Sequence, residues 1–209
     1  MRTIIVTSCV LLCLTLASGQ PLLAAPGTSV VEDGSLDAWY INFNVEPRRA
    51  PDYMDLRRGE ISLHGGLFVF KFTMEGVVPD EPTLPPEGEV IVWAWGIDTD
   101  PATAPFGFPL SAGLAQPWEF DVFVLWDGLQ FESILVDRRP LLHGEDAVVT
   151  PIPFDVEGNV VSASASRKML DRPESFRWGG VTLVDPSFGG NSSEHFVDFF
   201  NPHGFWPAE

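Results

Sequence analysis

Short apolar runs with a two-residue period, separated by proline and glycine, set the main constraint on how this chain can fold. Within Leu67–Met74 the even positions are Phe, Phe, Phe and Met, whereas the odd positions become polar toward the end. Alternation of this kind predicts a β-strand with one face in the core. The 19 prolines and 19 glycines are spread between such runs, a distribution typical of many strands joined by turns.

Other runs predict strands of the same fold. Val90–Ile97 is apolar on both faces, which predicts a central strand covered on each side. Trp118–Trp126 alternates at its start, and Asp127-Gly128 then predicts a two-residue hairpin turn into Leu129–Val136. The remaining predicted strands are Met54–His64, Ala147–Ile152, Asn159–Ala165, Ser175–Leu183 and Glu194–Phe200. Since no stretch has a helical period longer than two turns, we predict an all-β fold, an antiparallel β-sandwich of the immunoglobulin-like or jelly-roll-like kind.

The first 25 residues have the organisation of a cleavable signal peptide. Arg2 precedes an apolar run over Ile4–Leu16, and small residues follow near positions 19 and 25, the two predicted cleavage zones. Residues 26–209 are then predicted to form a single β-sandwich domain. Both cysteines lie in the leader. We therefore expect a secreted or extracytoplasmic protein without membrane insertion, whose mature chain is held by its core rather than by disulfides.

The charge of the chain restricts the partners that it can bind. Its formal net charge is -17, and Lys71 and Lys168 are its only lysines. A phosphate backbone requires a basic stripe, so nucleic acid is excluded as a partner. Cations, neutral sugars and basic proteins remain.

Familiar catalytic patterns are missing from the sequence. The four histidines are scattered without the spacing of a zinc hydrolase, and no Gly-x-Ser-x-Gly segment occurs. Glycoside hydrolysis needs only two carboxylates at a set separation, so acids such as Glu119, Asp121 and Glu132 leave a hydrolase open. Solvated acids on the outer face of a sandwich are the alternative interpretation of the same residues.

Five short segments follow each other in an order found in one superfamily of sandwiches. An early segment, Asp33–Trp39, reads DGSLDAW, a strand then ends in Asp98-Thr99-Asp100, and a loop leads into Trp118–Val122, WEFDV. Late in the chain come Leu170–Trp178 and Asp198–Gly204. This order resembles that of family-nine carbohydrate-binding modules and DOMON-like domains. The resemblance implies a β-sandwich and a carbohydrate ligand, whereas the loop after Asp100 departs from the pattern of the family.

Four tryptophans are the candidate ligand contacts. Trp93 and Trp95 occupy alternate positions of one predicted strand, so their rings project from the same face about 7 Å apart. Such a pair is either a platform on which sugar rings stack or a part of the core. Trp118 and Trp39 lie near the ends of predicted strands, where a ligand or ordinary edge packing would occupy them.

A calcium site is the candidate metal centre. Asp98 and Asp100 lie two residues apart where a strand ends, and Asp121 on the next strand is a further candidate ligand. Carboxylate oxygens suit calcium outside the cell. The alternative is that Asp98 caps the turn through its own backbone while Asp100 is solvated.

These features together favour a secreted, non-enzymatic β-sandwich that binds carbohydrate or a glycan-bearing surface. A structural or protein-interaction module of the cell envelope, with an envelope protein as partner, is the alternative. A carboxylate-dependent glycan hydrolase is the third interpretation.

Overall fold

The architecture comes from a computed structural model, which describes residues 27–34, 37–40, 48–84, 90–100, 118–185, 195–199 and 204–207. The predicted signal peptide, residues 1–25, lies outside these ranges. Residues 101–117 of the long loop after Asp100 also lie outside them. Within them, no helix is long and apolar enough to cross a membrane.

Most of the described residues lie in antiparallel strands that form two packed sheets, so the predicted all-β sandwich is confirmed. In chain order the strands are β1 Thr28–Glu32, β2 Trp39–Tyr40, β3 Arg48–Arg49, β4 Leu56–His64, β5 Leu67–Met74, β6 Val90–Asp98, β7 Phe120–Trp126, β8 Phe131–Asp137, β9 Val148–Pro151, β10 Phe154–Glu157, β11 Val160–Ser166, β12 Phe176–Asp185, β13 His195–Phe199 and β14 Gly204–Trp206. Two 3-10 helices, Asp52–Met54 and Arg139–His143, lie between them.

The two sheets differ in size. The first has five strands in the order β1-β4-β5-β11-β10, and the second has seven, in the order β13-β12-β6-β7-β8-β9 with β14 also paired to β12. A separate ribbon joins β2 to β3. Every pairing is antiparallel.

Aromatic side chains fill the space between the sheets. Phe68, Phe70 and Phe72 of β5 point inward because they alternate with the partly exposed Val69, Lys71 and Thr73. From the opposite sheet come the side chains of β6, with Trp95 stacked on Phe72 at a centroid distance of 3.9 Å. Burial of large rings supplies most of the free energy that holds such a core together.

The outer face of the seven-stranded sheet carries a second apolar cluster. All nine residues of β6 are buried, as the apolar pattern on both faces predicts. Ile91, Trp93, Trp95 and Ile97 join the main core, whereas the alternate positions Val90, Val92 and Ala94 pack in the second cluster with Phe123 and Leu125 of β7.

Two tryptophan N–H groups link the edges of the sheets. Trp178 Nε1 of β12 donates to Ser29 Oγ of β1 over 2.9 Å. Trp206 Nε1 of β14 donates to the carbonyl oxygen of Gly27 over 2.8 Å. Strand β1 and the residue before it are thereby fixed to β12 and β14 of the other sheet.

The hairpin after β7 differs from the prediction. Strand pairing ends at Trp126 and Phe131, so four residues rather than two lie between the strands. Within this turn the Asp127 N–H donates to the Gln130 carbonyl oxygen. Asp127 Oδ1 also accepts from the N–H groups of Leu129 and Gln130, each over 2.8 Å. The aspartate therefore caps the turn, while Gly128 takes the positive φ of 91° at the next position.

Truncation of Phe70 tests the assignment of the inner face. The side chain is completely buried, so Phe70→Ala should lower the free energy of unfolding by about 3 to 5 kcal/mol. Phe205→Ala, at a phenylalanine that is 58% exposed, is the matched control and should cost less than about 1 kcal/mol. Denaturant unfolding measures both values, and equal costs would show that the inner face is wrongly assigned.

Candidate functional site

A polar cleft lies at the end of the sandwich where β6 ends and β7 begins. Its volume is about 570 Å³, within the usual range of small-molecule sites. The second 3-10 helix forms one side, and the segment between β11 and β12 forms another. The lining residues are Thr99, Asp100, Glu119, Arg139, Leu142, His143, Leu170, Asp171, Pro173, Glu174 and Ser175.

Glu119 is the most deeply buried acid of the cleft. Its backbone is fixed on both sides, because its N–H donates to the Ile97 carbonyl oxygen over 3.0 Å and its own carbonyl oxygen accepts from the Arg138 N–H over 2.8 Å. The side chain is only 2% exposed. Its Oε2 accepts from the Thr99 N–H over 2.7 Å, whereas the buried Oε1 has no hydrogen-bond partner among the described residues.

This environment shifts the proton affinity of Glu119. Burial raises the pKa of its carboxyl group, and the nearby charge of Asp98 acts in the same direction, against the hydrogen bonds from the backbone N–H groups of Thr99 and Asp100. An acceptor oxygen that is removed from water and left without a donor is costly. A ligand N–H or O–H that reaches Oε1 would relieve that cost.

Arg139 joins two walls of the cleft. Its guanidinium donates to Asp137 through Nε and Nη2 over 2.9 and 2.8 Å, and to Asp171 through Nη1 over 2.8 Å. The same group lies 4.6 Å from the centroid of the Phe120 ring. Hydrogen bonding to Asp137 raises the pKa of Arg139 further, so the side chain is a fixed cation.

The charge of the lining is predominantly negative. Four carboxylates, those of Asp100, Glu119, Asp171 and Glu174, face one guanidinium and one imidazole. Because Arg139 already bonds to Asp137 and Asp171, its charge is largely compensated. The cleft thus favours ligands that donate hydrogen bonds or carry positive charge, and opposes anions.

The predicted stacking platform of Trp93 and Trp95 is wrong. Both side chains have an exposed fraction of 0% and pack between the sheets. Trp93 Nε1 donates to the Tyr53 carbonyl oxygen over 3.3 Å, and Trp95 stacks on Phe72. The pair belongs to the core because the inward face of β6 contains only large apolar residues. Burial in the core is the alternative that the sequence left open.

Trp118 and Trp39 occupy different surroundings. Trp118 is 8% exposed, and its indole lies directly against Gly96, where an added Cβ would come within 2.4 Å of the ring. Its role is therefore packing on the outer face of the seven-stranded sheet. Trp39, in the ribbon of β2 and β3, is 42% exposed and remains accessible to a ligand.

The three predicted calcium ligands do not converge as free carboxylates. Asp98 forms an ion pair with Arg177, its direct neighbour across β6 and β12, and Asp121 forms one with Arg138. Asp98 Oδ1 has no hydrogen-bond partner among the described residues. Asp100 is exposed and lines the cleft instead. Each arginine supplies the counter-charge that calcium would have provided, and calcium binding by this chain stays a prediction.

A different group of carboxylates lies close together. Ligand oxygens of Asp37, Asp55 and Asp198 are all within 4.8 Å of one another. Asp198 Oδ2 also accepts from the Leu56 N–H over 2.7 Å. The donors are of the type that calcium prefers, but acidic groups cluster in many proteins without an ion, and this group stays a candidate ligand set only.

Of the acids considered from the sequence for hydrolysis, one lies in the cleft. Glu119 lines it, whereas Asp121 is paired with Arg138 and Glu132 accepts from Gln130. Arg139, Asp171 and Glu174 were missed as site residues. Asp171 has a positive φ of 62° directly before Arg172 and Pro173, and an acid in a turn before a proline is the signal that could have identified the cleft wall.

Comparison with models of protein families and with curated proteins finds no match to this chain. The proposed resemblance to family-nine modules and DOMON-like domains therefore stays a prediction.

The ion pair of Asp121 predicts an unusual dependence of stability on pH. Burial raises the pKa of this carboxyl from 3.8 to about 6, against the opposing effect of Arg138. The folded protein therefore binds the proton more tightly than the unfolded chain, and stability should rise as pH falls from about 6 to about 4, by up to about 1.4 kcal/mol per pH unit. The raised pKa values of Glu119 and Asp33 act in the same direction.

Denaturant unfolding of Asp121→Asn at several pH values measures this contribution. The variant should have a shallower slope than the wild type. Asp127→Asn is the control, because hydrogen bonds from the Gln130 and Leu129 N–H groups lower the pKa of Asp127 and it does not titrate in this range. A wild-type protein that loses stability toward pH 5 would contradict the assignment.

Proposed function

We propose that the chain is an exported, non-enzymatic β-sandwich module that binds carbohydrate, or a surface bearing it, through the cleft around Glu119. The leader supports export, and the lack of catalytic motifs in the sequence supports a binding role. The volume of about 570 Å³ suits a ligand of the size of a short saccharide.

One observation carries the proposal: Glu119 lines the cleft, and its buried Oε1 has no donor among the described residues. A sugar presents several hydroxyl groups on a compact ring, and each can donate one hydrogen bond and accept others. A hydroxyl directed at Oε1 would satisfy this acceptor, and a bond to an ionised group contributes more than one between neutral groups.

Other lining residues complement the same type of ligand. Arg139 has five N–H groups, three of which donate to Asp137 and Asp171, so the guanidinium has donors left for sugar oxygens. Leu142, Leu170 and Pro173 contribute apolar surface, which suits the C–H faces of a sugar ring. The rigid anchoring of Arg139 reduces the entropy lost when a ligand binds.

The hydrolase alternative has one observation in its favour. Burial raises the pKa of Glu119, as a general acid requires, and the carboxylates of Asp171 and Glu174 line the same cleft. An assay of hydrolysis on any glycan that binds separates the two functions. Turnover that Glu119→Gln abolishes would identify an enzyme.

The protein-interaction alternative rests on the sheet edges. Strands β9 and β10 are both edge strands, and Val148, Val149 and Phe154 on them are 52%, 55% and 40% exposed. Exposed apolar edges are typical sites of strand addition by a partner. Co-purification of an envelope protein through these strands would favour this function.

Glycan binding by the mature protein tests the proposal. An array selects the ligand, and calorimetry then measures its affinity for the wild type and for Glu119→Gln, which keeps an oxygen for the Thr99 N–H but removes the charge. We expect a loss of about 10- to 100-fold, since a hydrogen bond to a charged group contributes about 1.5 to 3 kcal/mol.

The matched control is Glu132→Gln. Glu132 lies on β8, is exposed, and accepts from Gln130, so the same chemical change there should leave affinity within about two-fold of the wild type. Thermal unfolding of both variants verifies that they are folded. An array without any specific glycan, or equal affinity of all three proteins, would contradict the proposal.

A further inference from the structure

We infer that the occupant of the cleft is a sugar carrying a free amino group, bound as its ammonium ion. This inference rests on the proposed function and specifies the class of carbohydrate. It follows from the charge of the described lining residues, from the buried Oε1 of Glu119, which has no donor among them, and from the compensation of the guanidinium of Arg139.

The described lining residues carry a net negative charge. Asp100, Glu119, Asp171 and Glu174 contribute four carboxylates against the single guanidinium of Arg139. That guanidinium is held by two carboxylates, those of Asp137 and Asp171, so it does not offset the other acids. Nearby Asp98 is paired with Arg177. An occupant with negative charge, such as a uronic acid, would be repelled.

The burial of Glu119 favours a ligand group that is both a hydrogen-bond donor and a cation. A neutral hydroxyl would satisfy Oε1 as a hydrogen-bond donor, but the negative charge of a 2% exposed carboxylate would still lack a counter-charge from the ligand. An ammonium group has three N–H donors and a positive charge in one compact group. An ammonium group therefore supplies both the missing hydrogen-bond donor and the counter-charge. Hydrogen bonds between oppositely charged groups are among the strongest in proteins.

The acids at the rim of the cleft and the charge of the whole chain also favour a cationic glycan. Asp100 and Glu174 are exposed at its rim, where their negative charge favours further ammonium groups of a longer saccharide. The formal net charge of the whole chain is -17, which attracts a polycationic glycan over long distances and accelerates its association. The same field would not distinguish among neutral sugars.

Two saccharides that differ only at nitrogen test the inference. Tetramers of glucosamine and of N-acetylglucosamine have the same ring chemistry, but only the first carries amino groups that protonate. Calorimetry near neutral pH should show that the glucosamine tetramer binds the mature protein at least about ten-fold more tightly. Raising NaCl from about 0.05 to about 0.5 M should weaken this complex several-fold, because salt screens the charges of the exposed rim.

Variants and a metal titration complete the experiment. Glu119→Gln should reduce the preference for the amino form by about ten-fold, whereas Glu132→Gln should retain it. Equal affinity for the two tetramers, preference for the acetylated one, or stronger thermal stabilisation by calcium alone than by the glucosamine tetramer would overturn the inference. If the array shows binding of neutral glycans only, this inference fails and the proposed function stands, whereas an array without any ligand overturns both.

Discussion

The stacking of Phe72 on Trp95 is the contact on which the rest of the molecule depends. It holds the two sheets face to face at a centroid distance of 3.9 Å, with both side chains completely buried. Because Trp95 points inward, Gly96 must point outward, and the lack of a side chain there lets the Trp118 ring lie on the sheet. Trp118 directly precedes Glu119, so the inward direction of one tryptophan determines where the buried acid of the cleft lies.

The strands of the core could be predicted from the sequence because their pattern is strong. Leu67–Met74 was predicted with the bounds that the structure has, and the strand beginning at Val90 ends one residue later than predicted. The short strands β1 and β14 were missed, because they pair with β4 and β12 and not with a neighbour in the chain. The strand β10, which pairs with the adjacent β11, and the strands β2 and β3 were missed because two to four residues are too few to show an alternating pattern. The hairpin after Trp126 was predicted two residues too short, since the carboxylate of Asp127 caps a longer turn.

Much less of the candidate site could be predicted. Asp98 and Asp121 looked like metal ligands because acids at a strand end are ambiguous until their cross-strand neighbours are known. Arg177 lies opposite Asp98 only through the register of β6 with β12, across 79 residues of sequence. A second contact between residues far apart in the sequence, from Arg139 to Asp171, joins two walls of the cleft. Local patterns carry no information about such contacts.

The central claim is that the buried carboxyl of Glu119 contacts the ligand. Carbon-detected NMR of the side-chain carboxyl groups measures this directly during a titration with the saccharide that binds most tightly. The account predicts that the Glu119 signal shifts in proportion to occupancy, together with the backbone amide of Thr99, while the carboxyl signal of Glu132 stays unchanged. Shifts confined to the exposed edges at Val148, Val149 and Phe154, with Glu119 unaffected, would contradict it.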